Sequence, residues 1–291
     1  MPQGLIAAAL AYILWGVFPL YIKQVAHVSA AEVVAHRSAW SLVFVFALLL
    51  WWRRTAWLKA ALADPKVLKV FAGSALLLAL NWGLYVWAVN AGRILDASLG
   101  YFINPLFNVL LGVVFLRERP RPRQWLAVGI AAAGVLWLIV AAGEWPWVAL
   151  VLACTFGLYG LIRKTAPLDA AEGLALETLM QAPVALLLIG WWTWLGTGGL
   201  AGHDAPTLVW LLLAGPFTAV PLLLFATGAR RLTLATLGLL QYLGPTLQFL
   251  IGVFVYGEPF NAERAVGFAL IWLALLIYSA ESWRAWRARP A

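Results

Sequence analysis

Apolar residues run along this chain in ten long stretches separated by short polar ones, at approximately 4–23, 31–52, 69–91, 95–116, 123–142, 145–162, 172–195, 207–227, 233–256 and 265–283. An α-helix needs about 20 apolar residues to cross roughly 30 Å of hydrocarbon, so each stretch predicts one membrane-spanning helix. The longest interruptions, 53–68 and 196–206, leave no room for a soluble domain. The second, "GTGGLAGHDAP", reads as a flexible loop because of its glycines. The first stretch exceeds the 7 to 15 apolar residues of a cleaved leader and no basic residue precedes it in "MPQ", so it is read as a retained span.

Composition gives the same class: 64% of residues are hydrophobic and 11% charged, against about 45–50% and 25% in a soluble domain. The single cysteine, Cys154, lies inside an apolar run and can build neither a disulfide framework nor a cysteine zinc site. Seven tryptophans, Trp51, Trp52, Trp145, Trp147, Trp191, Trp192 and Trp194, sit at stretch ends, where indole rings anchor at the headgroups.

Lys and Arg fall unevenly between the two sets of loops. With the N-terminus inside, 16 cations lie in cytoplasmic segments, among them Arg163 and Lys164, and 3 in external ones, with Arg37 inside a span. The positive-inside rule therefore predicts both termini in the cytoplasm. The net charge of +8 is spread over short loops rather than gathered into a basic domain, and it predicts topology, not a nucleic-acid partner.

The chain repeats itself. "LGYFINPLFNVLLGVVFLRE" (99–118) aligns without gaps on "LLQYLGPTLQFLIGVFVYGE" (239–258) at an offset of 140, with six identities that include Pro105 on Pro245, Gly112 on Gly252 and Glu118 on Glu258. At an offset of 141, "WGVFPLYIK" ending at Lys23 faces "FGLYGLIRK" ending at Lys164. Two halves, 1–142 and 143–291, then hold five stretches each. An odd number sends the second copy into the membrane from the opposite side, so the repeats are predicted to be inverted, as in many secondary transporters.

"AYILWGVFPLYIK", "HRSAW", "NWGLYVWAVNAGRILDASLGYFINPL" and "LRERPRPRQWLA" resemble the RarD branch of the EamA permeases, within the drug/metabolite transporter superfamily. The resemblance covers essentially the whole chain and is more specific in the first half. It implies an all-α integral membrane protein of ten helices, inverted five-helix repeats around a central cavity, and transport by alternating access. The branch is associated by name with chloramphenicol sensitivity, and family membership gives the class of function more firmly than the cargo.

Proline removes a backbone donor and clashes with the carbonyl four residues earlier, so Pro105 and Pro245 predict helix kinks that free polar backbone for protein or cavity water. Tyr101, Asn104 and Asn108 share one helix face at i, i+3 and i+7, and Gln241 and Gln248 occupy the matching positions of Tyr101 and Asn108 in the second half. Asn81, Trp82 and Tyr85, Tyr12 and Trp15, and Thr155 and Tyr159 also lie well inside their stretches. Together these amides and ring hydroxyls suit the lining of a cavity for a neutral or amphipathic organic molecule; taken singly they are consistent with helix packing. Glu118 and Glu258 are expected to cap the helix that follows each.

Ionisable groups inside spans are few. Arg37 lies about seven residues, roughly 10 Å, inside the external end of its stretch, and Glu177 about five residues inside the cytoplasmic end of its own. At an offset of 141 His36 matches Glu177, as an inverted pair of gates would. The Arg37 guanidinium has two readings beyond snorkelling: attracting an anionic group on the cargo, or closing the external mouth by bonding carbonyls and amides of neighbouring spans.

Enzyme signatures are absent from the sequence. His27, His36 and His203 lack metal-ligand spacing, no carboxylate pair lies in the spans, and neither a GxSxG elbow nor a phosphate loop occurs. No cofactor or metal is expected. The partners expected are a small-molecule substrate and the lipid bilayer. The reading is a multi-pass permease of the bacterial cytoplasmic membrane that exports small organic metabolites or drug-like solutes. Facilitated diffusion, exchange and proton coupling all stay open, as does oligomeric state. The alternative is a non-transporting polytopic protein, a sensor or assembly subunit; a membrane enzyme acting on lipid is a more distant one.

Overall fold

A computed structural model describes residues 2–90, 94–142, 145–255 and 262–287. Among the described residues every regular element is helical. Twelve helices follow one another: α1 (Pro2–Gln24), α2 (Ala30–Trp51), α3 (Ala56–Ala63), α4 (Pro65–Asn90), α5 (Ile94–Leu116), α6 (Pro122–Ala142), α7 (Trp147–Thr165), α8 (Ala170–Leu195), α9 (Ala205–Arg231), α10 (Leu234–Gln241), α11 (Leu243–Phe254) and α12 (Ala262–Arg287). Seven of them are long and apolar enough to cross a membrane, and α5 and α12 contain shorter apolar segments, Gly100–Leu116 and Ala265–Glu281. The protein is thus an all-helical, multi-pass membrane protein.

Two predicted features differ from what is observed. The ninth apolar stretch is two helices, α10 and α11, divided at Tyr242 three residues before Pro245. Pro245 lies in the first turn of α11, where its missing N–H leaves no helical bond unmade. Pro105, by contrast, lies inside the continuous helix α5. The short α3, between α2 and α4, has no counterpart among the predicted spans, since eight residues cannot cross hydrocarbon.

Helix ends are set by local chemistry. Ser29, Asp169, Asp204 and Thr233 sit at N-caps, where each side chain accepts from an amide of the first turn, and Gly196 ends α8 with a φ of 65°. Outward faces are aliphatic: Leu187, Val140 and Leu276 are all more than two-thirds exposed, as lipid-facing residues are. Six of the seven end-of-stretch tryptophans are exposed, whereas Trp192 packs against Ala35, Ala39, Ala185 and Ile189.

The packing pairs α1 with α9 and α4 with α7, α2 with α9 and α4 with α8, and α5 with α7 and α1 with α11. α2 packs on α8, α6 on α12, and α5 on α10. The last contact is close, because a Cβ at Gly238 of α10 would lie 2.6 Å from the carbonyl oxygen of Pro105 in α5.

Candidate functional site

Where α5 meets α10, three amides converge. Asn108 Nδ2 donates to Asn104 Oδ1 at 3.0 Å and to Gln241 Oε1 at 3.1 Å, while Asn104 Nδ2 donates to the Ala153 carbonyl of α7 at 2.7 Å. All three residues are buried, and Asn108 Oδ1 has no partner. Beside them a small space of about 10 Å³, room for about one water molecule, is lined by Asn81, Tyr101, Asn104, Leu152, Phe156 and Gln241. Asn81 is held by bonds to the Leu152 carbonyl and the Thr155 hydroxyl, both 2.9 Å, and the Tyr85 ring lies 5.9 Å from that of Tyr101. Of the predicted stripe, Tyr101, Asn104 and Gln241 line this space and Asn108 bonds two of them. Gln248 points away from it and donates to the Trp15 carbonyl of α1 at 3.0 Å, because α11 packs on α1.

Tyr12, Trp15 and Tyr159 form the aromatic wall next to this space. Their rings pack with Phe156 and Phe225 at centroid separations of 5.2 to 6.2 Å. Sequence reasoning passed over Phe156 and Phe225 because they carry no polar atom. The Tyr12 hydroxyl is buried with no partner.

Glu177 is fully buried and accepts from the Ser74 hydroxyl of α4 at 2.6 Å and from the Tyr159 hydroxyl of α7 at 3.4 Å. Arg163 Nη1 stands 3.6 Å from Glu177 Oε1, attracted but beyond hydrogen-bond reach, and Nη2 donates to the carbonyls of Asp169 and Ala170. Arg163 was counted as a loop cation, yet it is 1% exposed. Its carbon lies 5.5 Å from the Phe71 ring centroid, so α4, α7 and α8 enclose it. Nearby, Lys164 donates to the Ala229 and Leu232 carbonyls and Arg230 to those of Ala166 and Leu168.

His36, in α2, is also fully buried. Its Nδ1 accepts from Trp40 Nε1 at 2.9 Å, which places the proton of a neutral ring on Nε2, and Nε2 stands 3.9 Å from Glu32 Oε1. Glu32 in turn accepts from the Gly199 amide and pairs with His203 Nε2 at 2.8 Å. The glycine-rich segment is thus tied to α2 rather than free, as its glycines had suggested. Asp204 beside it caps α9, and the hydroxyl and amide bonds of Thr207 hold its carboxyl below the usual carboxylate range. Arg37 donates from Nε to the Thr218 hydroxyl of α9 at 2.9 Å and lies over the rings of Trp82 and Phe18. Glu118 caps a helix, but not the following one: its carboxylate accepts from the Leu234 and Ala235 amides at the start of α10. Glu258 lies outside the described residues.

Residues 2–140 match the model of the EamA-like transporter family. An uncharacterised transporter of Pseudomonas aeruginosa is 46% identical, over 99% of this chain and 97% of its own. Protein RarD of Escherichia coli is 43% identical over 95% of this chain and 93% of its own. A protein of solved crystal structure shares the fold, with a TM-score of 0.72 over 95% of this chain and 96% of its own at 18% identity. With such identity along nearly its entire length, the chain belongs to the RarD branch of the EamA-like transporter family.

Proposed function

We propose that this protein is a secondary transporter that exports small organic solutes across the bacterial cytoplasmic membrane by alternating access. In this reading ten spans form two inverted repeats, 1–142 and 143–291, with both termini in the cytoplasm, and α10 and α11 together make the ninth span. The pairing of helices supports the repeat. Exchanging each span for its counterpart turns α1 on α9 into α4 on α7, α2 on α9 into α4 on α8, and α5 on α7 into α1 on α11, and all six contacts are present. α2 on α8, α6 on α12 and α5 on α10 each map onto themselves, as contacts lying on a pseudo-twofold axis would.

The observation that carries the function is the amide network at the axis. Buried side-chain amides in a membrane protein must find partners in protein or water, and Asn108 Oδ1 lacks one beside an empty space lined by Asn81, Tyr101, Asn104 and Gln241. In the alternating cycle of this reading, opening of the bundle here would give that acceptor a water or a solute group as its partner. The buried clusters around Glu177 and around Glu32 and His36 lie toward opposite ends of the bundle and fit the role of cytoplasmic and external gates.

The test uses a Cys154→Ala background with a single cysteine at position 104 or 241. Impermeant maleimide should label each site from both membrane faces, and a solute found by thermal-shift screening of amino acids, nucleosides and antibiotics should protect it. A core that no maleimide reaches would sink the transport reading.

A further inference from the structure

Among the described residues two arginines are buried in the helix bundle, and they are treated differently. Arg163 has a carboxylate at 3.6 Å and two carbonyls as acceptors. Arg37, 8% exposed, has neither among the described residues. Among the described residues its single hydrogen bond runs from Nε to Thr218, and no carboxylate or carbonyl meets its terminal nitrogens.

What surrounds the guanidinium is aromatic. Its carbon lies 4.5 Å from the Trp82 ring centroid and 5.0 Å from that of Phe18, and the hydroxyls of Tyr21, Tyr85 and Tyr101 are within its electrostatic reach. Trp82 neighbours Asn81 in sequence, and Tyr101 lines the central space itself. The cation is thus connected to the proposed cargo site through Tyr101. Of the two roles open to Arg37, closing the mouth through carbonyls and amides is not what its contacts do. Ring faces stabilise a cation but do not neutralise it, and among the described residues no counter-ion meets this buried charge, which is costly to keep unpaired.

Asymmetry adds to this. The position matching Arg37 in the second half is Thr178, whose hydroxyl bonds the Leu174 and Ala175 carbonyls of its own helix. The two halves together thus supply one cation, not two.

We propose that Arg37 is an anion subsite and that the cargo is a small organic acid: its carboxylate takes the planar fork of terminal nitrogens, and its apolar or aromatic body lies against Trp82, Phe18 and Tyr101. The planar fork matches a carboxylate in bidentate fashion, which an ammonium cannot do. The inference rests on the transport reading for the word cargo, but binding is measured without flux.

The experiment compares benzoate, benzamide and benzylamine by calorimetry on the purified full-length chain in detergent. The three share a ring and differ in charge. Benzoate should bind about tenfold or more tightly than benzamide, the factor that a charge-assisted hydrogen bond carries, and benzylamine should bind more weakly than either. Arg37→Gln should reduce benzoate to the benzamide level, Arg37→Lys should leave a partial preference, and Thr218→Val should weaken benzoate binding while keeping the preference. Benzoate binding no better than benzamide to the unaltered protein, including no binding by either, overturns the proposal, as does a preference that survives in a folded Arg37→Gln chain. Benzoate preference with no flux in proteoliposomes would sink the transport reading alone; flux of solutes without any preference for acids would sink this one alone.

Discussion

Replacing Glu177 with Gln should destabilise the protein severely for a conservative change. The carboxylate is fully buried, and its charge is the only anionic partner of Arg163 among the described residues. Removing it leaves a guanidinium at 1% exposure with two carbonyls and the face of Phe71. Breaking a buried ion pair from one side costs about 3–5 kcal/mol, because the surviving charge stays desolvated. Ser74→Ala removes one short bond to that carboxylate and should cost about 1.5–3 kcal/mol. The combined Arg163→Met, Glu177→Leu chain removes both charges, and apolar replacement of a buried pair is often neutral or stabilising. Four hydrogen bonds go with the pair, two from Arg163 to carbonyls and two to Glu177 from Ser74 and Tyr159, and at about 1 kcal/mol each they set the double variant roughly 4 kcal/mol below the starting protein, less than the sum of Arg163→Met and Glu177→Leu measured singly. Equilibrium unfolding by SDS in mixed micelles, followed by far-UV circular dichroism, gives these values. A Glu177→Gln cost below about 1 kcal/mol, or a double variant as unstable as the sum of the singles, would show that Arg163 is not an uncompensated charge without Glu177.

Three further outcomes are expected. Asn104→Leu and Gln241→Leu should lower flux while leaving abundance in the membrane nearly unchanged; collapse of abundance with normal flux in the remainder would make the amide network structural. Gly238→Ala should separate α10 from α5, since its Cβ would meet the backbone oxygen of Pro105 at 2.6 Å, and overpacking of this kind costs about 1–3 kcal/mol; unfolding in mixed micelles checks it, and an unchanged midpoint would refute close packing there. Glu32→Gln should weaken the tie between α2 and the 196–204 segment, so that a cysteine at exposed Leu200 reacts several-fold faster with maleimide and the Gly199 amide exchanges faster; equal rates would show that Glu32 does not hold the segment.

What the sequence determined by itself is what physics decides locally. Hydrocarbon imposes a length and a polarity on each segment that crosses it, so α1, α2 and the long helices after them could be placed to within a few residues from apolar runs alone. Capping is equally local: Ser29, Asp169, Asp204 and Thr233 each start a helix by accepting from an amide of its first turn. The matched Pro105 and Pro245 marked the repeat, but the same residue type did not give the same structure: α5 stays continuous while the ninth stretch divides at Tyr242, because proline in a first turn has no helical bond to lose. Which polar groups meet was settled only by tertiary packing. Asn108 finds Gln241, 133 residues away, while Gln248 turns to α1. Arg163 looked like one more cytoplasmic cation until the fold put Glu177 beside it and closed α4 and α8 around both. Glu118 reaches not the next helix but α10, 116 residues on. Helical periodicity tells which face a side chain occupies; it carries no information about which other face comes to cover it, and in a bundle held by close packing rather than by water exclusion that choice depends on the shape of every helix together.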